Sequence, residues 1–186
     1  MIDKDLILKF SAVQRFSGSF VFQSESVPDH SVQMALLCCN FSELVEESDK
    51  FEMCYRCLIH DFEETITSDI VRPIKHHSPE IKKLIDKAGF DLLSENSSPE
   101  FAREVFDAKN SNNINGFLVE IADKIQCFLK MRMEVEILGN KTLKRDFENF
   151  KLSVHYYLDL INNCDLMSDN SKINLAEYIN NLIINY

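Results

Sequence analysis

The chain has no tryptophan, and only four glycines and four prolines among its 186 residues. So little glycine and proline excludes collagen-like and low-complexity architectures and favours long uninterrupted elements. Fourteen phenylalanines take over the aromatic packing. No apolar run approaches the roughly 18 residues of a membrane-spanning helix, so no membrane partner is expected. In "MIDKDLILKF", Asp and Lys interrupt the stretch where a secretory signal keeps its apolar core. The expectation is a soluble, cytoplasmic protein. Cations are scarce too: 20 Lys and Arg stand against 30 Asp and Glu, a formal charge of -10. Proteins that neutralise phosphate backbones show a basic face, so a nucleic-acid polymer is not expected as a partner. A single small anion can still be held by a local cation cluster or a bound metal.

Cysteine is present, at 38, 39, 54, 57, 127 and 164, mostly among apolar neighbours in segments of helical pattern. Cys54 and Cys57 have CxxC spacing, but no second pair and no βαβ pattern accompanies them. Reduced packing thiols are expected rather than a zinc or redox site. A chain of this length buries a sizeable core without disulfides and fits one domain.

Apolar residues recur at helical spacing almost throughout, and nothing alternates long enough to require a strand. The expected architecture is therefore an all-α, single-domain helical fold over residues 1–186. Its chemistry-bearing core is placed at about 15–130 and its packing helices at about 141–184. A first helix is expected over about 3–15, followed by a Ser/Gly-containing loop whose Phe20-Val21-Phe22 could be extended. A second starts near Pro28 and Asp29 and carries His30, Met34, Leu37, Phe41 and Leu44 in one row. A third, about 51–64, contains "IHDFEE". Pro73 must start or interrupt whatever helix it meets. Ser78-Pro79-Glu80 and Ser98-Pro99-Glu100 each read as a serine N-cap with proline in the first turn. The long helix of about 114–138 has an apolar stripe with Asp123 beside it, and a carboxylate buried there needs a partner or a cation.

In the third helix, Cys57, His60, Asp61 and Glu64 stand at i, i+3, i+4 and i+7 and share a face. A lone His-Asp pair says little, since such pairs are common on solvated faces. His30 and Asp123 add to it: two imidazoles and two carboxylates compose a mixed site for a divalent ion, with positions left for water and a phosphate oxygen. On the residues alone, two other readings stay open. His30 could be a satisfied core histidine, and Asp123 could pair with Lys124 or Arg132.

Taken in order, "SVPDHSVQMALL", "CLIHDFEETITSDIVRPIK" and "EIADKIQCFLK" resemble the HD-domain phosphohydrolases. The likeness is greatest to the bacterial 5′-deoxynucleotidase branch and its phage-encoded relatives. It spans roughly Arg15 to Lys130. The resemblance implies one divalent ion (Co2+, Mn2+, Mg2+ or Zn2+) held by His30, His60, Asp61 and Asp123. It puts Glu64 at the catalytic carboxylate, with Glu63 as the neighbour to suspect, and Asp69 at an acidic position that orients water or sugar. Arg15 and Phe16 match an Arg-aromatic pair that touches phosphate and nucleoside, with Phe where the family often has Trp. Lys75 would join Arg15 on the phosphate oxygens, within a cationic run of Arg72, Lys75, His76, His77, Lys82 and Lys83. His76 and His77 are candidates for a second metal.

The implied reaction is release of phosphate from 2′-deoxynucleoside 5′-monophosphates. A deoxynucleoside triphosphate triphosphohydrolase is the enzymatic alternative, and a non-catalytic nucleotide-binding module is the alternative of another class. A cyclic-dinucleotide phosphodiesterase would need further histidines between the His-Asp pair and the last Asp, at spacings this chain lacks. The resemblance also implies a homodimer or higher homo-oligomer, working in the host cytoplasm if a phage encodes it.

Overall fold

Most helices start where a side chain can accept the first free amides. Asp3 caps α1 (Lys4–Phe10), and Ser26 forms a reciprocal capping box with Asp29 at the head of α2 (Val27–Leu44). Asp49 caps α3 (Lys50–Ile59). Ser78 and Ser98 cap α6 (Pro79–Asn96) and α7 (Pro99–Phe106), as their Ser-Pro-Glu signatures predict. Asn113 caps α8 (Ile114–Arg132), which runs on through one π-helical turn at Met133–Ile137. Two four-residue helices, α4 (Glu64–Thr67) and α5 (Arg72–Lys75), lie between α3 and α6. A 3-10 turn at Lys141–Leu143 leads into α9 (Lys144–Asn162), and α10 (Asp169–Ile184) closes the chain. The structure, a computed structural model, describes residues 2–75 and 77–184, with Arg72, Pro73 and Ile184 given by backbone alone. His76, a candidate second-metal ligand, lies outside the described residues. No described helix is long and apolar enough to cross a membrane.

Two expected helices end early. α1 stops at Phe10 because the next residues bond to a returning segment: Gln14 bridges Ser26, Arg15 N donates to Glu25 O at 2.9 Å, and Val27 N to Val13 O at 2.9 Å. Arg15 therefore sits in the bend that follows this bridge, not on the expected helix of 3–15. α3 ends at Ile59, not at 64. Beyond it the chain winds more tightly, with Phe62 N bonding Ile59 O and Glu64 N bonding Asp61 O. The i, i+4, i+7 face expected for Cys57 to Glu64 is thus broken at His60.

The break is where two apolar clusters meet. Met34, Phe41, Met53, Cys57, Leu118, Ile121, Ile125 and Phe128 belong to the core between α2, α3 and α8, which α9 and α10 complete. Ile59 and Phe62 belong to a smaller cluster with Leu6, Leu93, Ala102 and Val105. The Phe62 ring lies 5.0 Å from Phe10 and 5.3 Å from Phe101. Burying one such side chain contributes about 1.5–3 kcal/mol, so both ends of the turn are anchored. His60 and Asp61 are held at the seam. Gly116 serves the same region from α8: a Cβ there would fall 2.1 Å from Asn110 O, so only glycine lets the 107–113 turn press this close.

Candidate metal centre and its cavity

His30 comes from the first turn of α2, His60 and Asp61 from the break after α3, and Asp123 from mid-α8. All four are buried and converge. His30 Nε2 is 3.2 Å from Asp123 Oδ1, His60 Nε2 is 2.9 Å from Asp61 Oδ2, and the two imidazoles lie 5.2 Å apart.

The far side of each ring decides what these contacts mean. His30 Nδ1 is 2.5 Å from Gln126 Oε1, while Gln126 Nε2 donates to Glu25 Oε1 at 2.8 Å and to Gln33 Oε1 at 2.9 Å. With the amide so oriented, His30 must carry its proton on Nδ1. His60 Nδ1 likewise donates to the Cys57 carbonyl at 2.7 Å. Both rings then present an Nε2 lone pair to a carboxylate. An acceptor facing an acceptor makes no hydrogen bond, and both Nε2 atoms are buried without a hydrogen-bond partner among the described residues. Burial and the Arg15 charge push His30 down to about 4, so protonation of that ring does not resolve its conflict with Asp123 at neutral pH. A cation between nitrogen and oxygen does. Ligand atoms of His30, His60 and Asp61 lie within 4.8 Å of one another, as do those of His30, Asp123 and Cys127. The donor set, neutral imidazole and carboxylate, suits a divalent first-row or alkaline-earth ion.

The carboxylates divide into two pairs. Burial alone would raise Asp61, but the Lys109 ammonium at 3.1 Å opposes it, and the carboxyl lies well below its usual range. Asp123 is held down in the same way by Lys124 and Lys109. Glu63 and Glu64 go the other way: burial, then the Asp61 charge, raise them to about 7 and about 9. Glu64 Oε2 is buried without a partner among the described residues, and its Oε1 is 3.8 Å from Lys75 Nζ.

These groups open on a cavity of about 1240 Å³. Arg15, Phe16, Asp69 and Lys75 all line it. Arg15 is tied to Glu25 at 2.9 Å and to Gln126 Oε1 at 3.2 Å, and its guanidinium lies 5.2 Å from the Phe16 ring centroid. Phe16 has a left-handed backbone (φ 60°), held by its amide donating to Asp69 Oδ2 at 2.9 Å. Of the cationic run, Lys82 reaches the cavity wall but pairs with Asp86 at 2.5 Å, and His77 is exposed. α9, expected only to pack, also lines the cavity with Asn149, Ser153 and Tyr157.

Three contributors escaped the sequence reading. Gln126 stands one turn beyond Asp123, a spacing that could have flagged it. Glu25 and Lys109 carry no such signal, because loops and turns bring them in. Lys109, in the turn after α7, is 3.1 Å from Asp61 Oδ1 and 3.7 Å from Asp123 Oδ2. Lys124, foreseen as a partner, is 2.7 Å from Asp123 Oδ2, whereas Arg132 pairs with Glu136.

A profile of the 5′-deoxynucleotidase YfbR-like family matches residues 5–163. The chain belongs to the YfbR-like 5′-deoxynucleotidase family. The match bears out the expected class, a hydrolytic enzyme of the HD type. The YfbR-like chain is 28% identical over 167 residues to the 4′-phosphooxetanocin A phosphatase of Priestia megaterium, covering 83% of this chain and 81% of that one. It is 24% identical over 127 residues to a 5′-deoxynucleotidase of Photorhabdus laumondii, covering 61% of this chain and 63% of the relative. Among solved structures, the HD phosphohydrolase DatZ of cyanophage S-2L, bound to dA and one catalytic Zn2+ ion, superposes with a TM-score of 0.74. The two are 16% identical, over 100% of this chain and 99% of that one. The expected all-α fold is borne out by this likeness.

Proposed function

We propose that this YfbR-like chain removes phosphate from 2′-deoxynucleoside 5′-monophosphates at the His30, His60, Asp61 and Asp123 site, with one divalent ion. The observation that carries the reading is the pair of buried Nε2 lone pairs, each fixed toward a carboxylate by a proton committed elsewhere. Such an ion would supply a Lewis acid that acidifies water and offsets phosphoryl charge.

The chain's own residues do the rest. Glu64, buried and unpartnered at Oε2 among the described residues, can hold a proton beside the reacting phosphoester and pass it on. Lys75, within ion-pair reach of Glu64, and Arg15 offer cations to non-bridging oxygens. Phe16 packs on the nucleoside, and Asp69 keeps it there by accepting its amide. The names of the relatives support a deoxynucleotide substrate. The reading includes a cytoplasmic homodimer or higher homo-oligomer, for which exposed apolar side chains such as Val32, Leu36 and Phe51 offer surface. Sedimentation of the purified chain tests the assembly.

The deciding experiment incubates the protein with Co2+, Mn2+, Mg2+ or Zn2+ and ribo- and deoxynucleoside mono- and triphosphates, and identifies the released anion. Orthophosphate from deoxynucleoside monophosphates is the expected product. Release of intact triphosphate would establish the triphosphohydrolase instead. No turnover, with nucleotide still bound, would leave a binding module.

A further inference from the structure

We propose that Lys109 is a built-in counter-cation of the metal centre. Its ammonium holds Asp61 and Asp123 together, gives them up when a divalent ion takes their charge, and then serves the phosphoryl group. This rests on the metal-dependent reading above.

Two ionised carboxylates in one buried site repel each other strongly unless a cation stands between them. Among the described cations only Lys109 contacts both, at 3.1 Å and 3.7 Å; Lys124 contacts Asp123 alone. Lys109 is also placed to leave. Its side chain is 32% exposed, it lines the cavity, and its flexible stem rises from a turn rather than from a helix. The base of that turn is rigid, since Asn110 packs against Gly116 with no room for a Cβ. The stem can therefore swing while its root stays fixed.

The charge balance gives the movement its direction. With two carboxylates and the ammoniums of Lys109 and Lys124 the group is about neutral; a divalent ion brings it to about plus two. Lys109 is then repelled from the carboxylates' side and attracted to a phosphate dianion in the cavity. No proton is transferred. An ammonium exchanges one set of anionic oxygens for another.

The test compares the parent protein with Lys109→Met, Lys109→Gln and Lys109→Arg. Each is stripped with a chelator and titrated with Zn2+ against a chromophoric chelator. Lys109→Met and Lys109→Gln should bind Zn2+ at least about tenfold more tightly, because a competing charge is gone, while Lys109→Arg stays near the parent. The Zn2+-loaded Met and Gln variants should bind inorganic phosphate at least about tenfold more weakly. Without metal, both should melt at lower temperature than the parent. Unchanged or weaker Zn2+ binding in the Met and Gln variants would overturn the exchange and make Lys109 a fixed support; undiminished phosphate binding would remove its second role.

A measurement on the unmutated protein stands apart from variant folding. Labelling with an amine-reactive reagent, read by mass spectrometry, should modify Lys109 faster after Zn2+ loading and slower again with phosphate. No rise on Zn2+ loading counts against release. A parent protein that binds no divalent ion would refute the functional reading itself, a result distinct from a parent that binds metal while Lys109 does not respond.

Discussion

Asp123 and Glu134 are buried carboxylates on one helical run, α8 and its π-turn extension, yet they are treated in opposite ways. Glu134 is fully buried and surrounded by donors: the amides of Phe22 and Gln23 at 2.8 and 2.9 Å, and Lys130 Nζ and Asn140 Nδ2 at 3.0 Å each. Burial opposes its charge, but Asn140, Phe22, Gln23 and Lys130 pull it down to about 2. Every partner is in place, and the result is a clamp that fixes the loop before α2 to the far end of α8. Asp123 accepts from Lys124 at Oδ2, but its Oδ1 faces a lone pair of His30, inside a cluster where two imidazole nitrogens have no hydrogen-bond partner among the described residues. A satisfied network rigidifies a fold, whereas a cluster of opposed acceptors costs stability until a cation enters. The first arrangement is structural, and the second fits the ion site proposed above.

Substitutions at the two ends should separate these roles. The largest effect is expected from Asp61→Ala, which removes a candidate ligand. Deoxynucleotide hydrolysis should fall by at least about a thousandfold and divalent-ion binding should be lost, as read by phosphate release and metal titration. Parental turnover in that variant would break the comparison at once. Glu134→Gln should act on the fold alone, costing about 3–5 kcal/mol in urea unfolding because Lys130 is left buried beside a neutral group. Ion affinity in the folded variant should stay within about twofold of the parent. Gln126→Leu should weaken ion binding by about 10–100-fold, because nothing then fixes the His30 proton on Nδ1.

The smallest effect is one of pH. The Glu134 carboxyl is depressed in the folded chain, so its contribution is present above its unfolded pKa, about 4.5, and is lost as pH falls toward about 2. Melting temperature followed over that range should decline less steeply in Glu134→Gln than in the parent.

Much of the architecture is legible in the residues. Helical periodicity and the Ser-Pro-Glu caps predict the starts of α6 and α7, because capping depends on neighbours within one turn. His30, His60, Asp61 and Asp123 stand out once their order is considered together. The end of α3 does not. Residues 57 to 64 would satisfy a helical face, but Ile59 and Phe62 are drawn into a different cluster from Cys57, and the chain tightens to serve both. Lys109 is equally silent in sequence, as one lysine in a polar turn. Its closeness to Asp61 exists only because Gly116 admits that turn against α8.

The sequence by itself determined an all-α chain, the kinds of ligand available and the family to which they belong, since these rest on residue type, spacing and short-range capping. The tertiary structure alone decided which nitrogen of each histidine bears the proton, which carboxylates stay ionised and where Lys109 reaches. Those outcomes depend on contacts such as His30 with Gln126 and Lys109 with Asp61, made between elements far apart in the chain. Periodicity cannot encode them, because hydrogen bonds and charges act across space and not along the sequence.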